Sequence, residues 1–402
     1  MSRFQRFPSE STVLWLISLL LVWAFLRGFA THPEPYGLGQ YFYTYEAGFL
    51  IRGLIGTLVH AITGPSPTLI RAFVDPFTTV LYFLFIAILL LVWRDRRPSD
   101  DPARRLHDLL FLALLSGPLM IGIGATRGFL DTINLAVGLL AYLAFQRDRY
   151  LTALLLLGIA ILIHEQIAFL MLPVLGWLTW NRLRECRVDG ISRALPLLFA
   201  ASVITLIVVD TGKGDTAQML LLIHKVRIAL EYTDYFERWV DPYFTIFAAH
   251  NKAALNLTFD HLERLTYPSH QIMLVPSLVF IALGTAAIAT TRRWGSLLVY
   301  LLANLLPFGI MLFALDVHRY LFHIQLSTFL LLIEALRVAP VGERLRPPMI
   351  AGLLALTVAQ LPITDYPVVE LNARNSTPLY ELVRNHGDPG LVPESRVGTR
   401  HY

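Results

Sequence analysis

Long apolar runs alternate with short polar clusters along the whole chain. The runs fall at residues 12–30, 77–93, 106–123, 129–145, 150–163, 166–180, 194–209, 271–289, 294–315, 320–336 and 349–363. A helix needs about 20 mostly apolar residues to cross a hydrocarbon core of about 30 Å, and most of these runs approach that length. The pattern predicts an all-α, polytopic transmembrane helix bundle with about eleven spans. Residues 150–180 are long for one crossing and short for two, with His164 and Glu165 at their centre, so they read either as one broken or re-entrant element or as two spans.

The polar clusters carry a strong asymmetry. Arg94 to Arg97 with Arg104 and Arg105, then Arg147 and Arg149, Arg182, Arg184, Arg187 and Arg193, Arg292 and Arg293, and Arg337, Arg344 and Arg346 occupy alternate loops. Arginine-rich loops stay in the cytoplasm, which puts the N-terminus with Arg3 and Arg6 there too. The first loop (31–76), the long loop (211–270) and the C-terminal tail (364–402) are then external, around a single integral membrane domain. Within the first loop, residues 49–62 are apolar enough to form a helix lying in the interface.

Composition sharpens this picture. Of 402 residues, 55% are hydrophobic and only 15% charged, and mean hydropathy is +0.57, which excludes an ordinary soluble globule. The net charge of +4 is accounted for by loop arginines, leaving no case for nucleic-acid binding. Cys186 is the lone cysteine, so neither a disulfide framework nor a cysteine metal site is available. The first apolar run ends in Arg27-Gly28 without a small-x-small cleavage site and reads as a retained helix. Arginine far outnumbers lysine, a bias of high-GC bacterial genomes, and the membrane is read as a bacterial inner membrane, crossed many times.

Ionisable residues within or beside a span are costly and face a partner or a wet cavity. Four constellations qualify. Tyr41 to Tyr45 lead into Glu46, with Arg52-Gly53 close behind; either Glu46 is a base and Arg52 an anion binder, or the two pair with each other within an aromatic belt. Arg127, Asp131 and Asn134 share a helical spacing, as an internal ion pair or as a phosphate-binding arginine oriented by Asp131. His164-Glu165 sits in so apolar a setting that a cavity, a metal or a partner is required, although one His and one Glu make a poor ligand set. Asp316, His318 and Arg319, with His323 one turn later, form either a local Asp316–Arg319 pair or a cationic edge suited to phosphate.

All four lie at the face read as external, and no phosphate-binding Gly loop appears on the cytoplasmic side, so no nucleotide cofactor is expected. A lipid-linked substrate in the outer leaflet meets the need for an activated donor. A lipid or solute transporter is the competing class; two-fold pseudo-repeats and midplane helix breaks would favour it, and neither is legible in the sequence. Through Glu46 with its juxtamembrane helix, Arg127 and Asp131, His164-Glu165, and Asp316-x-x-Arg319, the chain resembles bacterial membrane glycosyltransferases of the C-type fold and the related surface-polysaccharide polymerases.

That resemblance implies transfer of a sugar from a polyprenyl-phosphate or polyprenyl-diphosphate donor to a glycan or lipid acceptor. It implies Glu46 as base, with His164, Glu165 and Asp316 also at the chemistry, and Arg52, Arg127, Asp131, His318 and Arg319 binding or orienting substrate. Asp131, His164, Glu165, Asp316 and His318 would orient these groups or hold a divalent metal. The first loop departs from the family's neighbouring acidic residues, since Glu34 and Glu46 stand well apart.

Overall fold

The structure, a computed structural model, describes residues 10–29, 40–42, 44–45, 52–126, 129–185, 188–211, 268–312 and 317–361. Regular structure among them is entirely helical: α1 (Glu10–Gly28), α2 (Gly53–Thr63), α3 (Pro67–Arg96), α4 (Asp101–Leu115), α5 (Pro118–Ala125), α6 (Asp131–Gln146), α7 (Tyr150–Ile163), α8 (Gln166–Arg184), α9 (Val188–Thr211), α10 (Pro268–Thr290), α11 (Trp294–Leu305), α12 (Val317–Val338) and α13 (Arg346–Gln360), with 3₁₀ turns at Gln40–Phe42 and Leu306–Leu312. Six helical stretches are long and apolar enough to cross a membrane: Glu10–Gly28, Thr68–Arg96, Asp101–Ala125, Ser192–Thr211, His270–Thr290 and Arg319–Val338. Every expected apolar run thus contains helix, but several helices, such as the 14-residue α7 and the 12-residue α11, fall short of a full crossing. The first loop also ends earlier than its polarity suggests, because α3 begins at Pro67, where a proline at the first helical turn is tolerated.

Asp101–Ala125 and most of Arg319–Val338 are enclosed by protein, whereas Glu10–Gly28 and Ser192–Thr211 turn most of their surface outward. Leu19, Trp15, Phe199 and Leu206 are among the large apolar side chains exposed on those outer helices, as a lipid-facing surface requires. Close approach of helices rests on small residues. A Cβ on Gly28 would lie 2.9 Å from the Gly124 Cα, so α1 and α5 touch backbone to backbone. Gly122 similarly leaves room for the ring of Phe322 on α12.

The enclosed stretch Asp101–Ala125 is not one helix. Pro118 lacks an N–H and its ring clashes with the preceding turn, so the helix breaks at Ser116-Gly117. Two side chains repair the exposed backbone: Gln325 Oε1 accepts from the Leu119 N–H at 3.0 Å, and Gln360 Nε2 donates to the Ala113 carbonyl and Ser116 Oγ, each at 3.1 Å. A Cβ at Gly117 would fall 2.3 Å from Gln325 Nε2. The run 106–123 reads from sequence as one unbroken span; the structure corrects this, and the reason the break is tolerated in apolar surroundings is the pair of glutamines from distant helices.

Residues 150–180 form two helices, not one. Arg182, near the end of α8, donates to the Tyr150 hydroxyl at the start of α7 at 2.7 Å, so the two helices fold back on each other and place His164-Glu165 at the hairpin tip. At the opposite end the arginines collect: Arg97 chelates Asp108 (3.0 and 2.8 Å) and reaches Glu10 at 2.6 Å, Arg147 meets Asp95 at 3.2 Å, and Arg96 lies 3.6 Å from Glu334, which also accepts from the buried Tyr142 hydroxyl. One end of the bundle is therefore arginine-rich, as the loop charges lead one to expect. From Glu334 to Arg319, at the other end of α12, the rise is about 22 Å.

Candidate functional site

The end of the bundle remote from the arginine-rich loops is built from chain segments far apart in sequence. Asp131 opens α6, whose exposed N-terminal amides favour a carboxylate in the first turn. The Leu130 N–H, one of those amides, is satisfied by Gln40 Oε1 at 3.2 Å, which ties the first loop to this helix start. Asp131 is 1% exposed, and both its oxygens are engaged: Gln166 Nε2 donates to Oδ1 at 2.6 Å, and Arg319 Nε lies 3.2 Å and His323 Nε2 3.7 Å from Oδ2. The Arg319 guanidinium is stacked over the Phe129 ring at 4.6 Å and the Tyr320 ring at 5.1 Å, and donates to the Tyr320 hydroxyl at 3.1 Å.

A second ion pair stands beside the first. Arg52 donates to Glu165 Oε1 at 2.8 Å, bridging the first loop to the α7–α8 tip. Arg52 adopts φ 70° and ψ 5°, a left-handed conformation uncommon for a side-chain-bearing residue, immediately before Gly53 opens α2. Such strain persists where surrounding contacts over-determine it, and here the part-buried pair with Glu165 does so. Burial alone would push the Glu165 carboxyl up; the Arg52 guanidinium and His164 outweigh it and hold the group well below the usual carboxylate range.

His164 links the two pairs. Its backbone carbonyl accepts from Asn134 Nδ2 at 3.0 Å, and its ring is buried. Burial, reinforced by Arg52 and opposed by Glu165 and Asp131, lowers its pKa, so the imidazole is neutral near pH 7. The Gln166 amide donates to Nδ1 at 3.3 Å, which leaves the neutral ring's proton on Nε2, an atom with no hydrogen-bond partner among the described residues. Nδ1 also stands 3.3 Å from Glu165 Oε2, so protonation would exchange the amide contact for an ion pair. Gln166 Oε1, Asn134 Oδ1 and both ring nitrogens of His323 are likewise buried without a hydrogen bond. Polar atoms in such number at one place are costly unless water or a ligand meets them.

Of the residues singled out from sequence, Arg52, Asp131, His164, Glu165 and Arg319 come together here, with Asn134 and His323. Glu46, Arg127 and Asp316 lie outside the described residues, and of His318 only the backbone, in the first turn of α12, is described. Two pairings are long-range: Arg52 meets Glu165 across 113 positions, and Arg319 meets Asp131 from another helix. Helix α6 begins at Asp131 and carries Asn134 in its first turn. Gln40 and Gln166 escaped the sequence reading; Gln166 directly follows His164-Glu165 within an apolar run, and that adjacency was the available signal. Among the described residues, no three His, Cys, Asp or Glu side chains stand together as a metal site.

Comparison with protein-family models, with curated proteins and with solved structures returns no match to this chain.

Proposed function

We propose that the protein transfers a sugar from a polyprenyl-phosphate or polyprenyl-diphosphate donor to a glycan or lipid acceptor, at the outer face of a bacterial inner membrane. The observation that carries this reading is the convergence of acids, arginines and histidines from the first loop, the α6 start, the α7–α8 tip and the α12 start at one pole of an apolar helix bundle. Arg52 and Arg319, already fixed by carboxylates, present guanidinium groups with planar donor arrays suited to phosphate. Neutral His164 with its hydrogen on Nε2 is suited to orient or protonate a leaving oxygen, and Glu46 is the proposed base for the acceptor hydroxyl. About eleven crossings and an external C-terminus complete the arrangement. A repeat-unit polymerase with the same chemistry differs only in having a lipid-linked acceptor.

A specific observation also favours a transporter: the break at Gly117 in an enclosed helix resembles the discontinuous helices that flank solute sites. One experiment separates the readings. A deletion strain is expected to accumulate a polyprenyl-linked sugar, and the purified full chain in proteoliposomes is expected to consume that lipid when acceptor is added. Glu46→Gln and Glu165→Gln variants distinguish the base from the arginine's partner, since only loss of the base abolishes turnover while donor remains bound. Unchanged lipid-linked pools together with lost solute uptake would replace the transferase with the transporter.

A further inference from the structure

The bundle carries a second feature, separate from the ion cluster. A groove of about 710 Å³ runs between α8, α9 and α11. On α8 its lining extends from Ala168 and Phe169 to Leu183, a rise of about 22 Å, most of the hydrocarbon thickness. Its few hydroxyls are turned away: Thr179, Ser202 and Thr205 each donate to the carbonyl four residues back, at 2.8 Å. The wall is therefore hydrocarbon, and the flanking Leu195, Leu206, Leu302 and Leu306 are 51–70% exposed, so the groove opens sideways into the lipid region.

Its two ends differ. The rim nearer the ion cluster is made of Phe169, Leu206 and Leu306, with no cation among the described lining residues. The other end lies at the arginine-rich pole, where Arg184 donates to Ser296 Oγ at 2.6 Å and the Trp180 indole donates to the same oxygen at 3.2 Å. Trp180 packs against Gly295, and exposed Trp294 stands next to it in the chain. A cation and an indole at the mouth of a hydrocarbon slot is the arrangement that receives an anionic headgroup with its chain pointing inward.

We propose that this groove binds an anionic phospholipid of the arginine-rich leaflet, with one acyl chain lying along α8 and the phosphate at Arg184. The site is independent of the proposed transfer reaction, because its polar end is at the opposite pole from Arg52 and Arg319. Arg184 contributes about a fivefold preference for an anionic over a zwitterionic headgroup, as expected of one basic residue near a lipid surface.

The test uses full-length protein in proteoliposomes, with a small fraction of phosphatidylglycerol or phosphatidylcholine carrying brominated chains, and reads quenching of tryptophan fluorescence, since Trp177 and Trp180 line the groove. Brominated phosphatidylglycerol is expected to quench the groove tryptophans at about one-fifth the mole fraction that phosphatidylcholine requires. Arg184→Gln should abolish the difference while chain quenching persists. Gly176→Leu should remove the groove component for both lipids; a Cβ there meets open space, so this variant fills the slot without disturbing packing, and elution as a folded species confirms it. Equal quenching by both headgroups in the unaltered protein, or a preference that survives Arg184→Gln, overturns the proposal. So does displacement of quenching by a long-chain polyprenyl phosphate but not by phosphatidylglycerol, which would assign the groove to the substrate tail.

Discussion

Asp131→Asn isolates the electrostatics that seat α12 against α6. The substitution keeps size and leaves Gln166 a hydrogen-bond acceptor, but faces the buried Arg319 with a neutral amide. Two opposite charges about 4 Å apart interact by roughly 4 kcal/mol at an effective dielectric of about 20, and removing one member of a buried pair costs about 3–5 kcal/mol. The flanking rings of Phe129 and Tyr320 each offer a cation–π face, worth up to about 2 kcal/mol in desolvated surroundings, which brings the expected loss to the lower end of that range. Arg319→Met alone should cost a similar amount, because it removes the guanidinium that lies 3.2 Å from the buried Asp131 carboxylate. The double variant buries neither charge, so its loss should fall short of the sum by about 2–3 kcal/mol. Unfolding by anionic detergent in mixed micelles, read by circular dichroism on all four proteins, completes the cycle. Additivity within about 0.5 kcal/mol would show that the pair does not couple these helices.

Other consequences are open to direct measurement. Gln325→Leu should destabilise by about 1–3 kcal/mol, since the Leu119 amide loses its acceptor in an apolar interior; unchanged unfolding would mean that the break at Gly117 is satisfied otherwise. Gly124→Val should cost about 1–3 kcal/mol and loosen the α1–α5 contact, which disulfide trapping between introduced cysteines on those helices would register. Acidification should destabilise in two stages. His164, with its pKa lowered in the folded state, opposes folding once pH falls below the unfolded histidine value of about 6.5. Glu165, held low by Arg52 and His164, contributes fully above the free glutamate value of about 4.3 and loses that contribution as pH falls from there through its depressed folded value. His164→Gln should shrink the first stage in a thermal-unfolding series against pH, and a first stage of unchanged size would assign it to other buried histidines.

The sequence by itself determined what period and composition control. A helix needs only its own backbone for hydrogen bonding in lipid, so apolar runs separated by charged clusters suffice to announce a helical membrane bundle, and alternation of arginine between loops suffices to separate its two ends. It also drew attention to Arg52, Asp131, His164, Glu165 and Arg319, because ionisable groups stand out against an apolar background. Partnership was beyond it. Arg52 meets Glu165 across 113 positions and Arg319 meets Asp131 from another helix, and such pairings are fixed by how helices cross and not by position along the chain. The same holds for Gln325 and Gln360, two unremarkable glutamines in sequence, which make the break at Gly117 affordable only once α12 and α13 bring them to it. The hairpin that folds α8 back along α7 is closed by Arg182 reaching Tyr150, a contact between residues of no special spacing. Tertiary packing decided these features because burial in a low-dielectric interior makes an unmatched polar group costly, and the fold that matches the most of them is selected over any single local choice.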